Sequence, residues 1–233
     1  MTIVIAHRGA SADAPENTVA AFHLAREQGA DWVELDARRT RDGKIAVHHD
    51  ARLDVGTNLV EIDLNRLPAT VCDLPTALDA CIPMGVNIEI KNVPVDPDHD
   101  PTELVAAGVV AEVQRRSSHR AVLVSSFSRA TIDRVRELDP AIPTAFLFLG
   151  PPDDDPFALA ADVAAAGHVA LHPYDLAVDA RMIAAAHEHG LAVNVWTVDD
   201  PSRMAALVDL GVDGICTNVP GVARGVVDGG AGG

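Results

Sequence analysis

Short runs of β-branched and aliphatic residues alternate along the chain with longer alanine- and leucine-rich stretches whose apolar positions recur every three to four residues. The first pattern predicts strands over 3–6, 32–38, 86–91, 121–125, 143–148, 168–172, 191–196 and 212–216. The second predicts helices over 17–28, 76–83, 102–117, 129–138, 157–166, 180–189, 201–210 and 221–227. Cap chemistry agrees with these limits. Asn17, Ser128 and Asp200 stand where helices should begin, Pro201 sits in a first turn, and Gly29, Gly167, Gly190 and Gly211 fall where helices should stop. Strand–helix alternation of this kind favours parallel strands joined by right-handed crossovers, in a closed barrel or an open sheet. About eight strands is the number that closes a barrel.

The regular pattern is interrupted over 39–75. Thr40-Arg41-Asp42-Gly43-Lys44 reads as a turn into a short extra strand at 45–47, and 51–72 has no strong period. This segment is expected to be a small insertion after the second strand, lying over the C-terminal mouth of the barrel. Residues 1–227 are expected to form a single domain and 228–233 a loose tail.

In a parallel barrel the chemistry sits where strands end. His7 follows the first strand, Glu34 and Asp36 close the second, Glu89 and Lys91 close the third, and His172, Trp196 and Thr217 end later ones. Residues i and i+2 of a strand share a face, so Glu34 and Asp36 aim together, and Glu89 repeats the pattern on the next strand. Three carboxylates so close raise one another's pKa unless something positive lies between them. A divalent cation with oxygen ligands, Mg²⁺ or Ca²⁺, answers that need; structural ion pairs with Arg8, Lys91 or Arg38 are the competing reading. His7 and His49 are the candidate proton carriers, since histidine titrates near neutral pH. Strand alternation turns His48 to the opposite face. Arg8 and Lys91 offer local positive charge for a phosphate, with a Schiff-base role as the alternative for Lys91. Trp196 is either a flat wall for an alcohol or a core residue. Glu16 is placed to hold Arg8, His172 to line the pocket, and Gly9 either to admit a ligand or merely to turn the chain. His23, His99, His119, His187 and His189 are expected to face solvent.

Composition narrows the picture. The chain has 233 residues with a hydrophobic fraction of 48% but only 3% aromatics, so one sizeable core built from Val, Ala, Leu and Ile is expected. With 18 Lys plus Arg against 34 Asp plus Glu, the net charge of −16 would repel nucleic acid, and an anionic substrate needs local cations. The runs Asp96-Pro97-Asp98-His99-Asp100 and Asp153-Asp154-Asp155 read as solvated surface, with a second cation site as the alternative. Cys72, Cys81 and Cys216 have no CxxC spacing, residues 1–6 are too short for a signal peptide, and no apolar run reaches the roughly 20 residues of a membrane span. A cytoplasmic protein with reduced thiols, a small-molecule substrate and no stable membrane insertion is expected; nothing fixes the oligomeric state.

The ordered set His7-Arg8-Gly9, Pro15-Glu16-Asn17-Thr18 with Ala21-Phe22, Gly29-Ala30-Asp31 into Glu34 and Asp36, Thr40 through Gly43 and His49-Asp50 resembles the glycerophosphodiester phosphodiesterases. The likeness continues through Glu89-Ile90-Lys91, Trp196-Thr197-Val198 and Gly211-Val212-Asp213-Gly214-Ile215 before Thr217, and so spans essentially the whole chain. It implies a TIM (β/α)8 barrel, a divalent metal on Glu34, Asp36 and Glu89, acid–base work by His7 and His49, and phosphate contacts from Arg8 and Lys91. Two departures stand out: 51–72 is short and lacks the family's basic and aromatic content, and Asn218 stands where an aspartate is common. The activity implied is hydrolysis of a glycerophosphodiester to glycerol 3-phosphate and an alcohol. A lysophospholipase D-type phosphodiesterase on the same fold, a non-catalytic phosphate-binding barrel and a metal-dependent lyase or aldolase are the rivals. The first would need an apolar rim for an acyl chain, for which Leu53, Val55, Leu59, Val60 and Leu67 give only a weak case.

Overall fold

The computed structural model describes residues 1–53, 56–117, 121–151 and 155–230. Its strands are β1 (Ile3–His7), β2 (Trp32–Arg39), β3 (Ile45–Val47), β4 (Gly85–Ile90), β5 (Val122–Ser126), β6 (Thr144–Phe148), β7 (Ala170–Pro173), β8 (Ala192–Val195) and β9 (Gly214–Thr217). All but β3 pair in parallel, each with the next, and β9 returns beside β1 while β1 also pairs β2, which closes an eight-stranded barrel. The helices are α1 (Val19–Glu27), α2 (Leu74–Cys81), α3 (Leu104–Arg116), α4 (Arg129–Leu138), α5 (Pro156–Ala165), α6 (Ala180–Glu188), α7 (Pro201–Leu210) and α8 (Pro220–Gly230). Of the closed barrel and open sheet that the alternation allows, the chain forms the closed one, the TIM barrel that the resemblance implies.

The strands work because their two faces differ. Val33, Leu35 and Ala37 of β2, and Val86, Ile88 and Ile90 of β4, are buried in the layer between barrel and helices. The same layer around the barrel holds helix residues such as Phe22, Leu74 and Met182, each buried to 2% exposure or less. Burying a side chain of that size contributes about 1.5–3 kcal/mol. The intervening positions, Glu34, Asp36, Asn87 and Glu89, are equally inaccessible but polar, and they face the barrel interior. Close backbone approach is needed where β4 starts: a Cβ on Gly85 would lie 2.3 Å from the Trp32 ring, so only glycine lets that indole cross.

Several local expectations change. Asn17 does not cap α1; Thr18 does, accepting from the Ala21 N–H, while Asn17 takes a left-handed φ of 58° and turns its amide toward Asp36. α2 begins at Leu74, capped by Asp73 through the Thr76 N–H. His168 precedes β7 and lies at the opposite end of the barrel from the strand C-termini, between Thr144 Oγ1 at 2.8 Å and Asp133 Oδ1 at 3.0 Å. α8 runs on to Gly230, so 228–230 extend the last helix, and 231–233 lie outside the described residues. The insertion holds β3 and two short 3-10 turns, Leu59–Glu61 and Leu64–Arg66; Leu59 is fully buried in it and forms no rim. Val55, His119 and Asp153-Asp154 lie outside the described residues.

The run 96–100 is the largest correction. The Asp98 side chain is only 3% exposed and receives both bonds of an Arg38 guanidinium arm, at 2.8 and 2.9 Å. Asp96 takes the other arm at 3.0 Å, and Asp100 is buried beneath the start of α3, accepting from Thr102 and Leu104. These acids are ligands for arginine and backbone, which is why they are not solvated.

Candidate active site

β1, β2 and β4 lie side by side, with His7 in register with Glu34 and Asp36 in register with Glu89. Inward alternation then brings carboxylate oxygens of Glu34, Asp36 and Glu89 to within 4.8 Å of one another, all three buried. His49 arrives by a different route. β3 runs antiparallel to the end of β2, Ala37 opposite Val47, and the His48 N–H donates to the Asp36 carbonyl at 3.0 Å. The chain is thereby carried back to the level of the carboxylates. His49 shares one cleft, of about 250 Å³, with Glu89, Lys91 and Phe127, while His7 shares a deeper cavity with Glu34, Glu89, His172 and Trp196. Glu89 borders both.

Electrostatics separate the three acids. Burial, reinforced by Asp36 and Glu89, pushes the Glu34 carboxyl well above the usual carboxylate range. Glu89 is raised too, by burial first, against the pull of Lys91. Asp36 goes the other way: despite its burial, Lys91 and Arg8, with smaller help from His49 and Asn17, hold it down at about 2. The contacts are short, with Lys91 Nζ 3.0 Å from Asp36 Oδ1 and 2.5 Å from Glu89 Oε1, and Arg8 Nε 3.2 Å from Asp36 Oδ2. Glu34 Oε2 accepts from the Arg8 backbone N–H at 2.9 Å, but its Oε1 is buried without a hydrogen-bond partner. A buried acceptor left unsatisfied beside two like charges fits a hard divalent cation, and the all-oxygen donor set is the kind such cations take.

Burial lowers the affinity of both His7 and His49 for a proton; Arg8 adds to the effect at His7, while Asp36 and Asp50 work against it at His49. Each Nδ1 is engaged, His7 with Asn218 Oδ1 at 2.7 Å and His49 with Asp50 Oδ1 at 2.7 Å. The backbone carbonyl of His49 is held by Arg38 Nε at 2.7 Å, so the Arg38 cluster with Asp96 and Asp98 anchors the histidine's own peptide.

The remaining residues fall as follows. Glu16 receives Arg8 Nη1 at 2.9 Å. His172 is wholly buried, accepts from Asn194 Nδ2 at 3.0 Å and is driven down to about 3 by desolvation, so it is a neutral wall of the cavity. Trp196 donates to the His172 carbonyl at 2.9 Å and packs against Phe127 and Tyr174, with ring centroids 5.5 and 5.4 Å away. Arg38, a candidate partner for the three carboxylates, pairs with Asp96 and Asp98 instead. Gly9 serves packing against α1: its Cβ would lie 2.7 Å from the Ala21 backbone. His187 is half-exposed, its Nε2 2.9 Å from Asp213. Sequence reading missed Asn17, whose Nδ2 donates to Asp36 Oδ2 at 2.7 Å; its place in Pro15-Glu16-Asn17-Thr18 marked it only as a cap. It also missed Asn87, Ser125 and Asn194, inward polar residues on strands whose alternation with Val and Ile was the available signal.

Residues 7–222 match the model of the glycerophosphoryl diester phosphodiesterase family. The chain belongs to that family. Among relatives of this phosphodiesterase family, the glycerophosphodiester phosphodiesterase of Caldanaerobacter subterraneus is 30% identical, over 94% of this chain and 95% of its own length. That of Bacillus altitudinis is 29% identical, over 94% of this chain and 96% of its own. Among solved structures, an Oleispira antarctica phosphodiesterase in complex with the product sn-glycerol-3-phosphate superposes with a TM-score of 0.87 at 25% identity, covering 98% of this chain and 97% of that one. Among the described residues no helix is long and apolar enough to cross a membrane.

Proposed function

We propose that this chain hydrolyses glycerophosphodiesters to glycerol 3-phosphate and an alcohol, with Glu34, Asp36 and Glu89 holding a divalent cation and His7 and His49 moving the protons. The observation that carries the reading is the buried carboxylate trio within 4.8 Å, set between the cavity of His7 and the cleft of His49. A bound cation, Mg²⁺ or Ca²⁺ by its oxygen donors, supplies charge neutralisation at the phosphate. Arg8 and Lys91, the cations beside the carboxylates, attract and orient the anionic diester against the chain's overall negative field.

Both histidines are half-buried, and the partial desolvation favours their neutral form; the arriving phosphate favours protonation of the one that must act as acid. One imidazole then takes a proton from the attacking oxygen, either water or the substrate's own hydroxyl with water opening the resulting cyclic phosphate, while the other delivers a proton to the leaving alcohol oxygen, for roughly 10²–10⁴-fold in rate each. Trp196 and Phe127 form the flat side of the mouth against which the alcohol lies. The catalytic unit is a single domain whose last helix ends at Gly230, and its three free cysteines suit a reducing cytoplasm, where the activity would serve lipid and glycerol metabolism.

A lysophospholipase D-type activity is favoured by one feature. Leu149 and Leu176, in the segments that follow β6 and β7, are 67% and 83% exposed and flank a common groove at the mouth. One experiment separates the two. Purified protein is incubated with glycerophosphocholine, glycerophosphoethanolamine or a lysophospholipid, each with Mg²⁺, Ca²⁺ or EDTA, and glycerol 3-phosphate and lysophosphatidate are measured. Glycerol 3-phosphate release that stops with EDTA and returns with either cation is expected. Turnover that survives complete metal removal would overturn the metal role, and turnover of the lysolipid alone would replace the substrate.

A further inference from the structure

The loops after β1, β8 and β9 bring Ser11, Asp199 and Asn218 together behind His7, and none of these belongs to the set just assigned. Asp199 is an acceptor-only carboxylate. Its Oδ1 takes the Thr217 hydroxyl at 2.9 Å and the Asn218 backbone N–H at 2.8 Å, and its Oδ2 takes Asn218 Nδ2 at 2.6 Å. The Thr217 hydroxyl oxygen accepts from the Val219 N–H, which leaves its proton for Asp199. With its NH₂ committed to the carboxylate, the Asn218 amide must present Oδ1 on its other side, 2.7 Å from His7 Nδ1 and 2.8 Å from Ser11 Oγ. A flipped amide would set its oxygen against the Asp199 carboxylate. Two acceptors cannot bond, so the His7 nitrogen that faces Asn218 must bear the hydrogen.

We propose that Asp199, acting through Asn218, fixes His7 as the Nδ1–H tautomer and so keeps Nε2 as the nitrogen that exchanges protons in the cavity. Both are positioning residues. The inference rests on the reading of His7 as a proton carrier but not on whether it acts as acid or base, since either role uses Nε2 once Nδ1–H is engaged. The network also makes an unusual demand on variants. Exchanging the carboxylate and the amide between 199 and 218 keeps every one of these hydrogen bonds, because one acidic oxygen and one NH₂ still meet between the two side chains. Placing carboxylates at both positions opposes like charges across the 2.6 Å contact.

The test uses the cation-loaded enzyme with glycerophosphoethanolamine as substrate. Asn218→Leu should lower kcat about 100-fold with KM changed by less than about threefold, and Asp199→Asn should lower kcat about tenfold. Asn218→Asp alone should lose about tenfold, and combined with Asp199→Asn it should recover to within about threefold of the parent. Nitrogen-15 spectra at pH 8, read without turnover, should show His7 with a protonated Nδ1 and a bare Nε2 in the parent, and a shift toward the other tautomer in Asn218→Leu. A loop with a purely structural role would lower the melting temperature without moving the tautomer. The proposal falls if the parent carries its proton on Nε2, if Asn218→Leu keeps kcat within twofold, or if the exchanged pair is no better than the poorer single variant. His7→Ala separates the two readings: full turnover there removes His7 as a proton carrier, whereas an inactive His7→Ala beside a normal Asn218→Leu removes only the relay.

Discussion

Replacing Asp98 with alanine probes how His49 is held. The Arg38 and Asp98 side chains are 4% and 3% exposed and joined by two short bonds, so water does not screen the pair. Removing one partner of a buried pair costs about 3–5 kcal/mol, because the other charge stays buried without compensation. Here Asp96 still holds one arm of the guanidinium at 3.0 Å and is itself 23% exposed, which lowers the expected loss to about 2–3 kcal/mol. In a chain of this length each kcal/mol moves the midpoint about 2–4 °C, so Asp98→Ala should melt about 5–10 °C lower. Because Arg38 Nε also holds the His49 carbonyl at 2.7 Å, the loosened guanidinium should let the histidine drift and lower kcat about tenfold. The assay is scanning calorimetry with steady-state turnover on the parent, Asp98→Ala, Arg38→Met and the double variant. The double variant should be more stable than the sum of the singles by about 1–3 kcal/mol. A midpoint that falls by less than 2 °C, with turnover unchanged, would refute the idea that this acid is a buried anchor.

Glu34→Gln should abolish turnover and yet stabilise the metal-free protein by about 1 kcal/mol at pH 8, because burial and two neighbouring carboxylates already oppose ionisation there; a metal-free variant that unfolds at lower urea than the parent would contradict this. His172 is held down to about 3 by burial against 6.5 in a free chain, so between those values the unfolded state binds the extra proton. Its contribution is complete above about pH 6.5 and is lost as pH falls toward 3, at about 1.4 kcal/mol per unit. His172→Gln, which can still accept from Asn194, should therefore lose about 2–3 kcal/mol less than the parent between pH 6.5 and 4.5 in urea titrations, and parallel curves would count against it. Gly9→Ala forces a Cβ to 2.7 Å from the Ala21 backbone at a φ of 84° and should cost about 2–4 kcal/mol, read as a lower urea midpoint; an unchanged midpoint would show that the β1–α1 turn can yield.

The sequence by itself determined the strand–helix alternation and the inward-facing carboxylates, because both follow from local periods. Alternation along 32–39 and 85–90 decides which side chains face inward, and the strand-end rule decides where they gather, without knowledge of any distant partner. His7 and His49 were legible for the same reason, as polar breaks at the ends of apolar runs. What only the tertiary structure decided were the pairings. Asp98 reads as solvent-exposed in a charged run until Arg38, 60 residues away, closes on it. Asn17 reads as a helix cap until β2 presents Asp36, and Gly9 as either a ligand-facing or a plain turn glycine until α1 packs against it. Asn218 meets His7 across 211 residues only because β9 lies beside β1. A side chain's face is set by the backbone torsions of its neighbours, whereas its partner is set by barrel closure, which no local pattern encodes.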